Sequence, residues 1–334
     1  MDKHRTINTY HYITLLFIEI KIIAQKNLYV YIIEKFSCQR IFLSGLIAII
    51  LGENMIAYFN GQFLQQKDIT ISPNDRGFLM GDGVYEVIRS YHGHLFELDA
   101  HIERLRDGTN ALQFNRSTFN ELKDIADQLI LKNELVHQDA TVYIQVTRGV
   151  AKRSHKFPPS DTPLTIYASA QRFSPTPSHT KNGISATLYP DTRWERCNIK
   201  SINLIVNSMA HQHALDSSAQ EAIFIRNGYL TEGAHTNVFM IKNKTIITPP
   251  ATNFILDGIT RKVILSICHI HNIPVEERSI TEKELFDADE LMVVGTTVEI
   301  TPVIMLNNKS IKDGKPGPFT IKLQRLFHDI IKHQ

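Results

Sequence analysis

From residue 55 onward the apolar positions fall into two periods. In "TVYIQVT", Val142, Ile144 and Val146 alternate with polar or amphipathic neighbours, the period of two that predicts a half-buried strand. "LTIYAS", "NVFMI", "TIITP" and the apolar run "ELMVVGTT" read as further strands. The helical period recurs five times. It predicts a helix capped by Asp99 with Ile102, Leu105 and Leu112 on one face, and a second with Phe119, Leu122, Ile125 and Leu129. "INLIVNSMAHQHALDSSA" has the same spacing, as does "GITRKVILSICHIHN" with Ile259, Val263, Ile264, Ile267 and Ile270. Residues 319–333 form the last amphipathic helix, and Thr281 with Glu284 makes a capping box that opens a shorter one. Asn60-Gly61 and Asn227-Gly228 are hairpin turns, and His92-Gly93 marks another turn at the end of a strand-like stretch from Asp75.

Strands and helices mix without strict alternation, so an α+β architecture fits better than a doubly wound sheet. The stretch "SPTPSHTKNG", 174–183, is rich in proline and hydroxyl residues and predicts a linker. It separates a smaller α/β domain, 55–176, from a larger one, 184–334.

Residues 1–54 read differently from the rest. They are rich in Ile, Tyr and Leu and contain no proline. Their longest apolar run, Ile41–Gly52, is about half of the ~20 residues a spanning helix needs. It also lies too far along the chain for a secretory signal. The expectation is that Met55 is the natural start and that 1–54 is upstream sequence read through. The alternative is a poorly ordered or membrane-touching extension, and mass spectrometry of the native N-terminus separates the two.

Composition narrows the function. The chain has 334 residues, enough for two domains with ample core. Its 36 basic and 34 acidic residues form no concentrated basic stripe, which argues against a nucleic-acid partner. Cys38, Cys197 and Cys268 are odd in number and widely spaced, offer neither a zinc pattern nor a disulfide framework, and suit a reducing compartment.

Lys200, in "RCNIKSINLI", stands in an apolar-rich stretch between an extended segment and a helix. A partly desolvated lysine has a lowered pKa and can act as a Schiff-base nucleophile; a lysine that snorkels to water is the ordinary alternative. Glu232 in "LTEG" follows a hairpin, where a carboxylate could hold a pyridine nitrogen protonated or simply be a solvated turn residue. "DGITRK" opens a helix at Gly258, Ile259 and Thr260, whose N–H groups suit a phosphate. Thr296 and Thr297 at a strand's C-terminal end offer hydroxyls, and Arg104 offers a counter-charge unless it is an exposed helix arginine. Arg153 and His155, two apart in "RGVAKRSHKF", could together grip a carboxylate, though a lone basic loop is usually solvated surface. "DRGFLMGDGVYEVIR" lacks the phosphate-loop pattern; its glycines suit a tight turn that brings Tyr85 forward.

In this order "FNGQF", "DRGFLMGDGVYEVIR", "HIERL", "VTRG", "RSHKFP", "RWERCNIKSINL", "YLTEGAHTNVF", "ILDGITR" and "EITPV" resemble the fold-type IV family of pyridoxal-phosphate enzymes over about 55–334. That family includes D-amino acid transaminases, branched-chain aminotransferases and aminodeoxychorismate lyases. "VTRG", the Arg153/His155 pair and Tyr85 resemble the D-amino acid branch. The resemblance implies a two-domain fold with pyridoxal 5'-phosphate between the domains. Lys200 would form the Schiff base and shuttle the α-proton. Glu232 would pair with the pyridine nitrogen, Leu256 would lie against the ring, and Arg104, Ile259, Thr260 and Thr296 would hold the phosphate. Tyr85, with Arg153 and His155 from the other subunit of a homodimer, would trap the α-carboxylate.

The implied reaction is ping-pong transamination of D-alanine with 2-oxoglutarate in the cytoplasm, giving pyruvate and D-glutamate for peptidoglycan precursors. A branched-chain L-amino acid aminotransferase, an aminodeoxychorismate lyase and a non-catalytic binder of the cofactor are the alternatives. Two positions depart from the family's pattern: "GAHTN" after Glu232 places His235 among what are often hydroxyl residues, and Gly295 stands where a serine is frequent.

Overall fold

The computed structural model describes residues 55–116 and 118–333, so the expectations for 1–54 and for Cys38 lie outside the described residues. The chain first builds a six-stranded sheet, with strands β1 (Ile56–Phe59), β2 (Gln62–Gln65), β3 (Gly83–Tyr91), β4 (His94–Leu95), β5 (Ala140–Thr147) and β6 (Thr165–Arg172). Its order is β2-β1-β6-β5-β3-β4, and every pair is antiparallel. Helices α2 (Leu98–Ala111) and α3 (Glu121–Lys132) supply its core partners. Ile88, Val142 and Ile144 of the sheet share one cluster with Leu105, Leu122 and Leu129 of the helices. Alternation along the strands and the 3.6-residue period of the helices both point into that cluster.

A second sheet follows, built from β7 (Ile184–Pro190), β8 (Glu221–Arg226), β9 (Tyr229–Gly233), β10 (Asn237–Lys242), β11 (Thr245–Thr248), β12 (Val275–Glu277), β13 (Glu290–Gly295), β14 (Glu299–Leu306) and β15 (Lys309–Ser310). Its order is β12-β11-β10-β13-β14-β7-β8-β9, with β15 on β14. The β11–β12, β14–β7 and β7–β8 pairs are parallel and the others antiparallel. Helices α5 (Ile205–Asp216), α6 (Ile259–Ile270), α7 (Glu282–Phe286) and α8 (Pro318–His333) complete this half. Leu291 and Val293 of β13 enter one core cluster, while Met292 and Val294 enter another with Ile264, Leu323 and Phe327. Burial on both faces explains why "ELMVVG" reads as an unbroken apolar run. The fold is a mixed α/β arrangement of two sheets, as the sequence predicts.

Both Asn-Gly hairpins form, with φ +44° and +98° at Asn60-Gly61 and +53° and +81° at Asn227-Gly228, the left-handed pair such turns require. The capping box forms as well, with Thr281 accepting from the Glu284 N–H and Glu284 accepting from that of Thr281.

Four local expectations need correction. Residues Arg76–Met80, expected as strand, form the single-turn helix α1. Its cause is Asp75, whose side chain accepts from the Gly77 N–H at 2.8 Å and so starts a helix inside an otherwise extended stretch. Asp99 does not cap α2; Glu97 holds that position with φ +53°, and Asp99 lies in the first turn, where its charge suits the helix dipole. Residues Pro177–Asn182 of the expected linker form a short helix, α4, with proline in its first turn. Ile270 is 65% exposed because it is the last residue of α6, where the chain turns away from the core.

Candidate active site

A cavity of about 490 Å³ is lined by Tyr85, Arg104, Lys200, Glu232, Leu256, Ile259, Thr260 and Thr296, among others. The fold thus gathers eight of the ten residues to which the resemblance gives a role. Arg153 and His155 line none of it and are exposed.

Lys200 reaches the cavity because its backbone is paired with β3. The Tyr85 N–H donates to the Lys200 carbonyl at 3.0 Å, Ser201 bridges Val84, and the Ile202 N–H donates to the Gly83 carbonyl at 3.1 Å. Ile199 anchors the segment in the first core. The amine then lies 4.3 Å from the centre of the Tyr85 ring, a cation–π distance. Cys197 lines the same cavity, but burial pushes its thiol up to about 11, with Arg193 opposing, so it stays protonated and does not compete as a nucleophile.

Glu232 is 5% exposed. Its Oε1 accepts from Arg193 Nη1 at 2.6 Å; its Oε2 accepts from the Leu256 N–H at 2.9 Å and from Asn237 Nδ2 at 3.2 Å. Burial nevertheless raises its pKa, against the pull of Arg193 and Leu256. Arg193 is shared with Asp191, which it grips through Nε and Nη2, both at 2.9 Å. Burial works against the Asp191 charge, but hydrogen bonds from Arg193 and Arg226 hold its carboxyl at about 2. A buried anion with one cationic partner already shared is suited to a second cation, such as a protonated ring nitrogen.

At the other end, Arg104 is engaged by Glu86. Its Nε and Nη2 each donate at 2.8 Å to the two carboxylate oxygens, and Nη1 reaches the Asp257 carbonyl at 3.3 Å. Glu86 is fully buried and also accepts from His101 Nδ1 at 2.7 Å. Burial would raise the Glu86 carboxyl, yet Arg104 and His101 hold it well below the usual range. Burial, opposed by Glu86, lowers the His101 pKa, so the ring is neutral and its Nδ1–H is the donor. Arg104 is therefore a positioned cation rather than a loose one, with two of its nitrogens committed to Glu86.

Helix α6 begins beside it. Gly258 is the N-cap and no side chain caps the helix, leaving the first N–H groups and the positive dipole end for an anion. A Cβ at Gly258 would lie 2.1 Å from Asn237 Oδ1, so only glycine lets Asn237 reach Glu232 and the Leu256 carbonyl. These residues fit pyridoxal phosphate: an amine for its aldehyde, an anion for its ring nitrogen, and an uncapped helix start with threonine hydroxyls for its phosphate. Gly258→Ala is expected to weaken pyridoxal-phosphate binding at least about tenfold, roughly 1.4 kcal/mol. A titration of the purified variant followed by absorbance checks this, and unchanged affinity would contradict the cradle.

Sequence reasoning missed Arg193, Glu86 and His101. Arg193 and Asp191 stand two apart in "DTR", and Glu86 shares the buried face of β3 with Val84 and Ile88. A charge on an apolar face was the available signal.

An amine and a carboxylate facing one cavity, with a helix start for an anion, suit an aldehyde-bearing phosphate cofactor. A family model described as amino-transferase class IV matches residues 83–305. The D-alanine aminotransferase of Staphylococcus haemolyticus is 41% identical over 276 residues, covering 82% of this chain and 97% of that protein. That of Bacillus licheniformis is 40% identical over 279 residues, covering 83% and 97%. Among solved structures, the branched-chain amino acid aminotransferase of Escherichia coli superposes with a TM-score of 0.77 at 27% identity, covering 83% of this chain and 94% of that one. The chain belongs to the class IV aminotransferases.

Proposed function

We propose that this protein is a pyridoxal-phosphate-dependent D-amino acid aminotransferase that moves the amino group of D-alanine to 2-oxoglutarate. The observation that carries this reading is the meeting of Lys200, Glu232 and the start of α6 on one cavity. The D-alanine assignment draws on the relatives at about 40% identity, against 27% for the branched-chain structure.

When bound, pyridoxal phosphate supplies an electron sink for negative charge developing at the amino acid's α-carbon. Lys200 Nζ would hold the cofactor and, when free, would take the α-proton as general base and return it as general acid. Glu232, oriented by Arg193, would keep the ring nitrogen protonated. The N–H groups at Ile259 and Thr260, the Thr296 hydroxyl and Arg104 would hold the phosphate, and Leu256 would lie against the ring. The 2-oxo acid leaves before the second one enters, which gives ping-pong kinetics.

Arg153 and His155 supply the carboxylate trap together with Tyr85, in the cavity of a second copy of the chain. Their loop is tied to the first sheet's side of the chain by Arg76. Arg76 donates to the Ser154 carbonyl at 2.8 Å, between the two residues, and pairs with Asp82 at 2.7 Å. Arg148 joins the same carboxylate at 2.8 Å. The working unit in this reading is a homodimer in the cytoplasm, the reducing compartment that dispersed cysteines suit.

Adding D-alanine, L-alanine and L-leucine separately to the loaded enzyme tests the reading. D-alanine alone should bleach the visible absorbance of the bound cofactor. A response to L-leucine alone would replace D-alanine transamination by branched-chain transamination, and no response to any would favour a lyase. Arg153→Ala is expected to raise the D-alanine KM about 10- to 100-fold, the worth of a charge-assisted contact, with kcat much less affected. Steady-state kinetics of the variant decide it; an unchanged KM would remove Arg153 from the trap.

A further inference from the structure

We propose that His211, Glu221 and His235 form a binding site for one divalent transition-metal ion of the zinc class, at the rim of the cavity. The three residues come from α5, the start of β8 and the turn between β9 and β10, and their ligand atoms all lie within 4.8 Å of one another. His235 Nδ1 stands 3.3 Å from Glu221 Oε2. That is long for a hydrogen bond to a carboxylate but matches the edge of a tetrahedron, where ligands about 2.0–2.1 Å from zinc lie roughly 3.3 Å apart. The two imidazoles are perpendicular, with centres 5.2 Å apart, an arrangement in which both can aim a nitrogen at one point. The His235 side chain is 45% exposed, so it is the least confined of the three.

Two further observations point to a ligand. His211 Nδ1 is buried and has no hydrogen-bond partner, a state that costs free energy unless something binds it. Glu221 is 1% exposed, and its other partners are neutral: the Ala222 and Ala234 N–H groups and the Thr236 hydroxyl, at 2.8, 3.2 and 2.8 Å. Among the described residues no lysine or arginine forms an ion pair with it. A metal ion would supply the missing positive charge, and those three donors would fix the carboxylate as outer-shell partners do. Two histidines and one carboxylate are a recognised zinc set that leaves a fourth position open. Because His235 shares the cavity wall with Thr296, a bound ion would add charge next to the phosphate seat.

Equilibrium dialysis of tag-free holoenzyme against zinc chloride, with magnesium chloride as control, tests the site. One zinc per chain is expected and no magnesium. His211→Gln and His235→Ser should each weaken zinc binding at least about tenfold, with melting temperatures showing that both variants fold. X-ray absorption of the zinc-loaded wild-type chain, which needs no variant, should show nitrogen and oxygen ligands only. Absence of saturable zinc binding, unchanged affinity in either variant, or a sulfur ligand such as Cys197 would overturn the proposal. None of these readouts depends on transamination.

Discussion

Replacing Lys200 by alanine is expected to lower kcat for the D-alanine half-reaction by at least about 10⁴-fold. The variant loses two functions at once. A positioned acid–base group alone is worth about 10²–10⁴-fold, and loss of the covalent anchor adds to that. The fold should survive, because the segment is held by backbone pairing to β3 and by Ile199, neither of which involves the amine. Stopped-flow absorbance measures the rate, and thermal melting checks the fold. A free primary amine such as methylamine, added in excess, should restore part of the proton-transfer rate. A Lys200→Ala protein with near-normal turnover would place the nucleophile elsewhere on the cavity wall.

Glu232→Gln is expected to cut kcat by about 10²–10³-fold while leaving most of the stability intact. Glutamine preserves the shape and can still accept from the Leu256 N–H, but it brings no negative charge to a ring nitrogen. Arg193 is not orphaned, since Asp191 still takes two of its hydrogen bonds. Alanine would be a poorer probe, because truncation leaves a hole beside a buried guanidinium. Wild-type kcat in the glutamine variant would show that the carboxylate's role is structural.

Local setting marked Lys200 and Glu232 as candidates, an amine among apolar residues and a carboxylate just after a hairpin, but each alone also read as an ordinary solvated charge, and their roles came from the resemblance. The uncapped start of α6 was legible from the order Gly258, Ile259, Thr260. The partners were not. Arg193 meets Glu232 across 39 positions and Arg104 meets Glu86 across 18, so both pairs exist only once the chain has folded. Local periodicity carries no record of such pairing. It also misread α1, where one Asp75 side chain outweighs the extended pattern around it. The strands and long helices were clear because burial on one face or two imposes its period directly on residue type.

The pairing of Lys200 with β3 has a mechanical consequence. The amine is encoded after the start of the second sheet, yet it is fastened to a strand of the first. The tyrosine under it, and through Glu86 the arginine at the far wall, ride on the same strand. Glu232 and the start of α6 ride on the other sheet. Any breathing motion of one sheet against the other would carry Lys200 and Tyr85 as one jaw and Glu232 with the start of α6 as the opposing one, with Arg104, bonded to Glu86 and to the Asp257 carbonyl, linking the two. Opening would then change the distance between Lys200 and Glu232 while leaving the backbone pairing that holds Lys200 and the hydrogen bonds that hold Glu232 undisturbed.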